Sequence, residues 1–386
     1  MKISQGYTSR MASDLRLALA GLVALALAQG VGRFAFTPLL PMMQDDAGVS
    51  LAQGGALAAA NYLGYLLGAI WATRPAPAAT VIRLSIAVVA MATLAMGFSH
   101  GMTAWAALRF VAGVASAWAL VYVSAWCLAR LGPARPRLMG AVFAGVGAGV
   151  ALAGLLCLAL AKAGASSAQG WIALGVVTVA MAAFVWPVFR GAAEGARRQG
   201  VAPLAWTPAA VRLVLCYTAY GFAYIVPATF VPAMAKAIVP DPAIFGWAWP
   251  LFGATAAAST ILVARWQARL GARRTWMISA FVLAAGVAAP LIFPGLAGII
   301  AAAVLVGGTF VVITMAGLQV AREIAGPGAP PLMAAMTAGF GLGQVAGPLL
   351  VAYLGDRGIP MALAGSALLV AASGLALGTK EKPCPT

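Results

Sequence analysis

The stretch that decides the fold is Leu138-Met139-Gly140-Ala141-Val142-Phe143-Ala144-Gly145-Val146-Gly147-Ala148-Gly149. It returns half a chain later as Leu332-Met333-Ala334-Ala335-Met336-Thr337-Ala338-Gly339-Phe340-Gly341-Leu342-Gly343, with seven of the twelve positions identical at an offset of 194 residues. A second pair agrees with it, because Phe34-Ala35-Phe36 resembles Phe222-Ala223-Tyr224. These matches predict two parallel halves that repeat the same succession of elements.

The composition places both halves in a membrane. Of the 386 residues, 63% are hydrophobic and only 8% are charged, whereas a soluble domain carries about 25% charged residues. A transmembrane helix needs about 20 apolar residues. Twelve stretches meet this need, at 17–40, 51–72, 81–98, 103–128, 138–161, 171–189, 211–234, 244–266, 276–293, 296–320, 332–354 and 359–377. We therefore predict an all-α membrane protein whose twelve transmembrane helices, spans 1 to 12, form two pseudo-symmetric six-helix halves.

The predicted halves are residues 1–189 and 209–386, and a basic cytoplasmic linker at 190–208 joins them. The start of span 1 imitates a signal peptide, because basic residues precede an apolar run that contains Ala26-Leu27-Ala28. The apolar run continues to Leu40, and cleavage would break the repeat. We therefore expect this segment to be retained as span 1.

The net charge of +16 is unevenly distributed along the chain. If the N-terminus is cytoplasmic and the spans alternate, 19 of the 24 Lys and Arg lie on the cytoplasmic side and three lie outside. This asymmetry follows the positive-inside rule. It predicts a multi-pass protein of the bacterial inner membrane with both termini cytoplasmic. Lipid headgroups, and not nucleic acid, are the expected partners of the basic loops.

Four segments resemble a known family: Gly32-Arg33-Phe34-Ala35-Phe36-Thr37-Pro38-Leu39-Leu40-Pro41, Ala59-Ala60-Asn61-Tyr62-Leu63-Gly64-Tyr65, Arg109-Phe110-Val111-Ala112-Gly113-Val114-Ala115-Ser116-Ala117-Trp118 and residues 337–348. With the two six-span halves, they make the chain similar to the major facilitator superfamily and, more narrowly, to its YbfB/YjiJ-like group. The resemblance covers nearly the whole chain. It implies a secondary active transporter that moves a small solute by alternating access, with spans 1, 2, 4, 5, 7, 8, 10 and 11 around a central cavity.

One motif departs from the superfamily pattern. The loops after spans 2 and 8 usually carry Gly-x-x-x-Asp-Arg-x-Gly-Arg, but here Ala72 and Ala268 stand where the aspartate belongs. This departure puts the usual cytoplasmic latch in doubt. Glu323, beside Arg322 at the cytoplasmic end of span 10, is the nearby acid that could substitute for it.

The sequence leaves proton coupling open. Arg109 followed by Gly113 resembles the span-4 motif of many proton-linked members, so protons are a candidate coupling ion. No acidic residue falls inside a predicted span, however. The relay would then be Asp45 or Asp46 at the outer mouth, Glu323 at the inner end, or an ionisable substrate.

Arg33 and Arg109 are the two charges deep inside predicted spans, since Arg83, Arg212 and Arg265 lie within three residues of a cytoplasmic span end. At 1.5 Å per residue they lie about 12 Å and about 9 Å below the outer end of spans 1 and 4. One interpretation is structural: each bonds to helix carbonyls or reaches outward to Asp45 or Asp46. The other is that both form a positive pocket that holds an organic anion by bidentate contacts.

Five further side chains are candidates for substrate contact. Asn61 and Tyr65 share one face of span 2, Tyr220 and Tyr224 share one face of span 7, and Gln344 lies in span 11. The alternative interpretation is packing for the tyrosines and interhelical hydrogen bonding for the two amides. Trp247 and Trp249, near the outer end of span 8, are explained by an aromatic belt at the membrane surface.

Small residues recur at every fourth position in two spans, namely Ala141, Gly145 and Gly149 in span 5 and Ala335, Gly339, Gly343 and Gly347 in span 11. Such stripes let helix backbones approach closely. They indicate tight static packing, a smooth surface on which the two halves rock, or both.

Other functions lack support in the sequence. We find no nucleophile–base pair, no phosphate-binding loop and no metal-ligand cluster, so the chain is expected to be neither an enzyme nor a protein with a cofactor or metal site. We expect a monomer that binds a small-molecule substrate of unknown identity. The rival class is a membrane sensor or scaffold that kept a transporter-like fold without transport. The missing latch aspartates favour this rival, whereas the embedded arginines oppose it.

Overall fold

The computed structural model describes residues 2–72, 76–131, 135–190, 206–239, 241, 244, 246–326, 329–354 and 358–378. Span 1 consists of the helix Lys2–Leu25, a π-helical turn at Ala26–Val31 and the helix Phe36–Asp46. Spans 2 to 12 are the helices Leu51–Trp71, Ala78–Met96, Met102–Leu131, Pro136–Lys162, Ser167–Val185, Pro208–Ile238, Ala248–Leu270, Ala272–Ile292, Leu296–Ala325, Ala329–Leu354 and Gly358–Gly378. The predicted all-α fold with twelve long helices is confirmed, and the described residues contain no strand.

Ten of these helices are long and apolar enough to cross a membrane on their own, counted over the described residues. The two others are span 2 and span 8, Leu51–Trp71 and Ala248–Leu270. Span 2 packs against spans 4 and 11, and span 8 packs against spans 5 and 10. Because each packs against two other helices, small and polar residues replace part of the apolar surface that a lipid-facing helix carries.

Serine caps fix the start of two spans that begin on the same side of the molecule. Ser50 accepts a hydrogen bond from the backbone of Gln53 at 3.2 Å, and the side chain of Gln53 accepts one from the backbone of Ser50 at 2.9 Å. Ser166 and Gln169 repeat this capping box at the start of span 6. Each cap satisfies backbone N–H groups that the helix itself leaves free.

Successive spans run in opposite directions, so span 1 begins and span 12 ends on one side, here named the terminal face. The other side, where span 1 ends, is the opposite face. The proposed boundary between the halves falls at 190–208, of which residues 191–205 lie outside the described part of the chain. The limits of the two halves therefore stay a prediction.

Span 1 is interrupted near its middle, where a glycine allows span 5 to approach closely. A Cβ on Gly30 would lie 2.4 Å from Cα of Gly149 in span 5, which no side chain tolerates. Ala26, Leu27 and Ala28 are buried in the same π-helical turn. The break carries the chain through residues 32–35 before the helix resumes at Phe36. Arg33 lies in this non-helical part of span 1.

The small-residue stripes pack within each half. Gly145 and Gly149 of span 5 lie directly against the backbone of Leu22 and Ala26 in span 1. Span 11 repeats this contact in the second half, where Gly339 and Gly343 lie against span 7. The static-packing interpretation therefore describes these stripes, and the interpretation as a rocking surface between the halves does not. The repetition of one helix pair in both halves is the structural counterpart of the sequence repeat.

A different set of glycines lies between the halves. A Cβ on Gly147 would meet the backbone nitrogen of Ala257 in span 8 at 2.4 Å, and one on Gly154 would meet Pro250 at 2.6 Å. Span 2 and span 11 form the second contact, with Gly55 next to the carbonyl of Pro348. Spans 5 and 8, and spans 2 and 11, therefore bring the halves together.

The aromatic-belt interpretation agrees with the exposure of one tryptophan of span 8 and is wrong for the other. Trp247 is 53% exposed, as expected at a membrane surface. Trp249 is only 1% exposed and stacks on Phe252 with ring centroids 4.8 Å apart. Its ring also approaches Phe34 of span 1 at 6.3 Å. The two tryptophans are two positions apart on the helix, so their rings point in different directions. Only Trp247 can therefore face lipid.

Candidate functional site

Arg33 lies between spans 2 and 11 and is 3% exposed. One terminal nitrogen of its guanidinium donates a hydrogen bond to Oε1 of Gln344 in span 11. The guanidinium lies over the ring of Tyr65, 3.9 Å from the ring centroid, and 5.4 Å from that of Tyr62. Its Nε is buried without a hydrogen-bond partner. Arg33 therefore joins the two halves through Gln344, with its charge facing aromatic rings and a neutral amide.

Gln344 extends this contact to span 7. Its Nε2 donates a hydrogen bond to the hydroxyl of Tyr224, so Arg33, Gln344 and Tyr224 form one buried chain of polar groups. The hydroxyl of Tyr220 lies outside this chain and donates to the backbone carbonyl of Phe310 at 2.5 Å. The interhelical bonding predicted for Gln344 is thus present, and it connects Gln344 to the buried charge.

Aromatic rings form a wall beside Arg33. The ring of Tyr224 is parallel to that of Phe340, at 5.5 Å and 7°, and to that of Phe310, at 5.6 Å and 1°. Tyr220 stacks on Tyr224 at 5.2 Å. The predicted common face of the span 7 tyrosines is therefore present. Sequence reasoning missed the contribution of Phe310, because a phenylalanine within a largely apolar span carries no sign of which neighbour it faces.

Arg109 occupies a different position from Arg33. Its two terminal nitrogens donate to the backbone carbonyls of Gly32 at 3.1 Å and of Arg33 at 2.8 Å, in the interrupted part of span 1. The guanidinium lies 5.1 Å from the ring centroid of Phe36. The sequence left open whether Arg109 bonds to helix carbonyls or to a substrate, and the structure brings it to carbonyls. The two arginines meet, but only through the backbone of Arg33.

Asn61 supports Arg109 and lies away from the cavity. Its Nδ2 donates to the backbone carbonyl of Arg109 at 2.8 Å, and its Oδ1 is buried without a partner. The carbonyl of Asn61 would lie 2.0 Å from a Cβ on Gly113, so spans 2 and 4 touch at this point. Of the two candidates in span 2, Tyr65 faces the charge of Arg33 and Asn61 serves helix packing.

A cavity of about 60 Å³ lies beside Arg33, on its terminal-face side. Fifteen residues line it, and seven of them are aromatic: Gln29, Arg33, Phe34, Tyr65, Leu120, Phe143, Val146, Tyr217, Tyr224, Phe310, Val311, Thr314, Leu318, Thr337 and Phe340. They come from both halves of the chain. The volume accommodates a few water molecules, whereas sites for small organic ligands have roughly 300–1,000 Å³. The cavity as it stands is therefore smaller than such a ligand needs.

The opposite face is closed by contacts between the halves. Nζ of Lys236 lies 2.5 Å from Oδ1 of Asp45 and donates to the carbonyl of Pro41 at 3.1 Å. Deeper in, the hydroxyl of Thr37 donates to the carbonyl of Ala228 at 3.1 Å. These contacts connect the end of span 1 to span 7. They place the candidate gating residue Asp45 at the junction of the halves.

The other candidate gating residues lie elsewhere. Asp46 accepts hydrogen bonds from the backbone nitrogen and the hydroxyl of Ser167, which ties span 1 to span 6 within one half. Neither Asp45 nor Asp46 reaches Arg33 or Arg109, so the predicted outward reach of the arginines to these acids is wrong. Arg322 and Glu323 are exposed at the terminal face. Neither of these two side chains lines the cavity.

Comparison with known proteins agrees with this arrangement. The family model described as "Uncharacterised MFS-type transporter YbfB" matches residues 25–380. The chain is similar to the crystal structure of a mutant of the nucleoside transporter NupG, with a TM-score of 0.70 and 15% identity over 95% of this chain and 100% of that chain. No curated protein matches the chain. At this identity the likeness shows the fold alone. A family match over most of the chain decides the affiliation: the chain belongs to the MFS-type transporter family of YbfB and is a transporter of the major facilitator fold, not an enzyme.

Proposed function

We propose that the protein is a secondary active transporter that moves a small organic anion across the bacterial inner membrane by alternating access. The observation that carries this proposal is the buried guanidinium of Arg33, which lines the cavity between the halves. In the described part of the chain no carboxylate lies within hydrogen-bonding distance of it. The missing counter-ion is then the solute.

The electrostatic argument rests on the cost of burying a charge. An arginine at the centre of a transmembrane helix costs at least about 2.5 kcal/mol on insertion scales. Aromatic faces and one amide offset part of this cost in the present structure. A carboxylate would offset more, because charge-assisted bonds to a guanidinium are bidentate and about twice as strong as bonds between neutral groups. An anion at this place would therefore offset more of the cost of burying Arg33 than the amide does.

The distribution of contacts supports alternating access. The halves meet at the opposite face through Lys236 and Asp45, and the cavity lies on the terminal-face side of that contact. If the terminal face is cytoplasmic, as the charge asymmetry predicts, the conformation is one that faces inward with a contracted site. An outward-facing state requires the contact between Lys236 and Asp45 to open, and these two residues are our candidates for the outer gate.

A transport assay tests the proposal. Purified protein is screened by thermal shift against lactate, succinate, benzoate, choline and uridine, and any stabilising compound is offered to proteoliposomes. We expect an anion to stabilise the protein and to be taken up. Arg33→Gln should abolish both effects, and Arg16→Gln, which removes an exposed arginine of the same span, should leave them intact.

The alternative outcomes separate the candidate functions. A cation or a neutral nucleoside as the transported solute would contradict an anion site. Normal uptake by a folded Arg33→Gln variant would remove Arg33 from the binding site. Binding that requires Arg33 without any uptake or exchange would favour the sensor or scaffold interpretation.

A further inference from the structure

The single available charge of the cavity limits the charge of its ligand. Both terminal nitrogens of Arg109 already donate to the backbone of span 1, so Arg109 has no pair of terminal N–H groups left to bind a carboxylate. Arg33 lines the cavity, and its Nε has no hydrogen-bond partner although it is buried. A single guanidinium in a medium of low polarity neutralises a single negative charge, whereas the second charge of a dianion would stay buried without a partner. The cavity therefore favours a monoanion.

The walls next to this charge favour an aromatic ring. The rings of Tyr224, Phe310 and Phe340 line the cavity, and the two phenylalanine rings lie within 7° of the plane of Tyr224. Phe340 lies beside the charge, with its ring centroid 5.9 Å from the Arg33 guanidinium. Offset stacking on such rings adds binding free energy beyond that from buried area, and the addition requires a planar π-system in the ligand. An aliphatic ligand of the same size lacks this additional binding free energy.

Polar contacts at the far end of the cavity are few and neutral. Thr314 and Thr337 line it, and each hydroxyl bonds to a carbonyl one turn earlier in its own helix. Such a hydroxyl still accepts a hydrogen bond through a free lone pair. The cavity thus has a charged end at Arg33, an aromatic middle and a weakly accepting end.

We propose that the solute is an aromatic monocarboxylate, whose carboxylate binds Arg33 and whose ring stacks among Tyr224, Phe310 and Phe340. This inference rests on the proposed function and adds the class of substrate to it. Because the cavity is only about 60 Å³ as it stands, the aromatic wall and span 1 must separate for the ring to enter.

Four matched compounds test the inference by thermal shift and calorimetry on the purified, full-length protein. Benzoate is the expected ligand. Cyclohexanecarboxylate keeps the charge and size without the π-system, phthalate adds a second charge, and benzyl alcohol removes the charge. We expect benzoate to bind about 2- to 10-fold more tightly than cyclohexanecarboxylate, and about 10-fold more tightly than phthalate and benzyl alcohol. Arg33→Gln should abolish benzoate binding, and Phe340→Leu should lower the preference for benzoate over cyclohexanecarboxylate.

Each of the other outcomes overturns a specific part of the inference. Equal affinity for cyclohexanecarboxylate would overturn the aromatic preference, and tighter binding of phthalate would overturn the monoanion, while an anion site at Arg33 would stand. Binding of benzyl alcohol as tight as that of benzoate, or benzoate binding that survives Arg33→Gln, would overturn the proposed function as well. If none of the four binds, the inference is wrong, and lactate or succinate binding decides the proposed function separately.

Discussion

Arg109 donates a hydrogen bond of 2.8 Å to the backbone carbonyl of Arg33, so one buried arginine holds the main chain of the other. A second bond from Arg109 reaches the carbonyl of Gly32. Both carbonyls lie where span 1 is interrupted, and the side chain of Arg33 in the same segment lines the cavity. Of the two charges, one positions the chain and the other faces the site.

The first prediction concerns this pair. Arg109→Gln should lower the free energy of unfolding by about 3 kcal/mol, because two charge-assisted bonds to buried carbonyls are lost. Arg109→Lys should be intermediate, since an ammonium lacks the planar fork that reaches both carbonyls. Thermal unfolding in detergent measures the difference, with Arg16→Gln as the matched control. A melting temperature of Arg109→Gln equal to that of Arg16→Gln would remove the structural role of Arg109.

The second prediction concerns the contact at the opposite face. Asp45 is 67% exposed, so its pair with Lys236 contributes at most about 1 kcal/mol. Lys236→Ala should therefore raise the population open at this face by up to about 5-fold. The readout is the alkylation rate of a cysteine at Ala228, in a background without native cysteines.

The charge-swapped double variant, Asp45→Lys with Lys236→Asp, serves as the control for this measurement. It should return the alkylation rate towards the starting value, and the effect of Lys236→Ala should shrink at high salt. Identical rates in all three proteins at low ionic strength would show that the pair is no gate.

The third prediction concerns the surface between the halves. Gly147→Ala should impair transport, because its Cβ would lie 2.4 Å from the backbone of Ala257 and push span 5 away from span 8. Gly365→Ala is the matched control, as its Cβ meets nothing within 4 Å and a glycine-to-alanine change inside a helix stabilises it by up to about 1 kcal/mol. Uptake rates of the two variants in proteoliposomes give the comparison. Equal uptake would mean that spans 5 and 8 need no such close approach.

The fourth prediction is the orientation in the membrane. Cysteines introduced singly at Asp241 and Arg197, without the native cysteines, should react differently with a membrane-impermeant maleimide. Asp241 should be labelled from outside in intact cells, and Arg197 should react only after lysis. Labelling of Arg197 alone in intact cells would reverse the proposed topology and make the present conformation outward-facing.

The sequence could predict the site residues whose type is unusual in a transmembrane segment. Arg33 and Arg109 were identifiable because charges are rare inside apolar segments, and Gln344 because an amide in a membrane needs a partner. Phe310, Phe340 and Trp249 were not identifiable in the same way. An apolar or aromatic residue in a span satisfies lipid, a neighbouring helix and a cavity equally well, so its type does not reveal its direction.

By itself the sequence determined the number of helices, their order and their repetition, because these depend on hydropathy and period along the chain. Only the tertiary structure decided the roles of residues with similar chemistry. Arg109 bonds to backbone and Arg33 faces the cavity, and Gly145 packs within a half whereas Gly147 packs between halves. The physical reason is that the direction of a side chain depends on how its helix is rotated about its own axis. Two residues of one helix can therefore face different neighbours, and the rotation is set by packing that no local sequence pattern encodes.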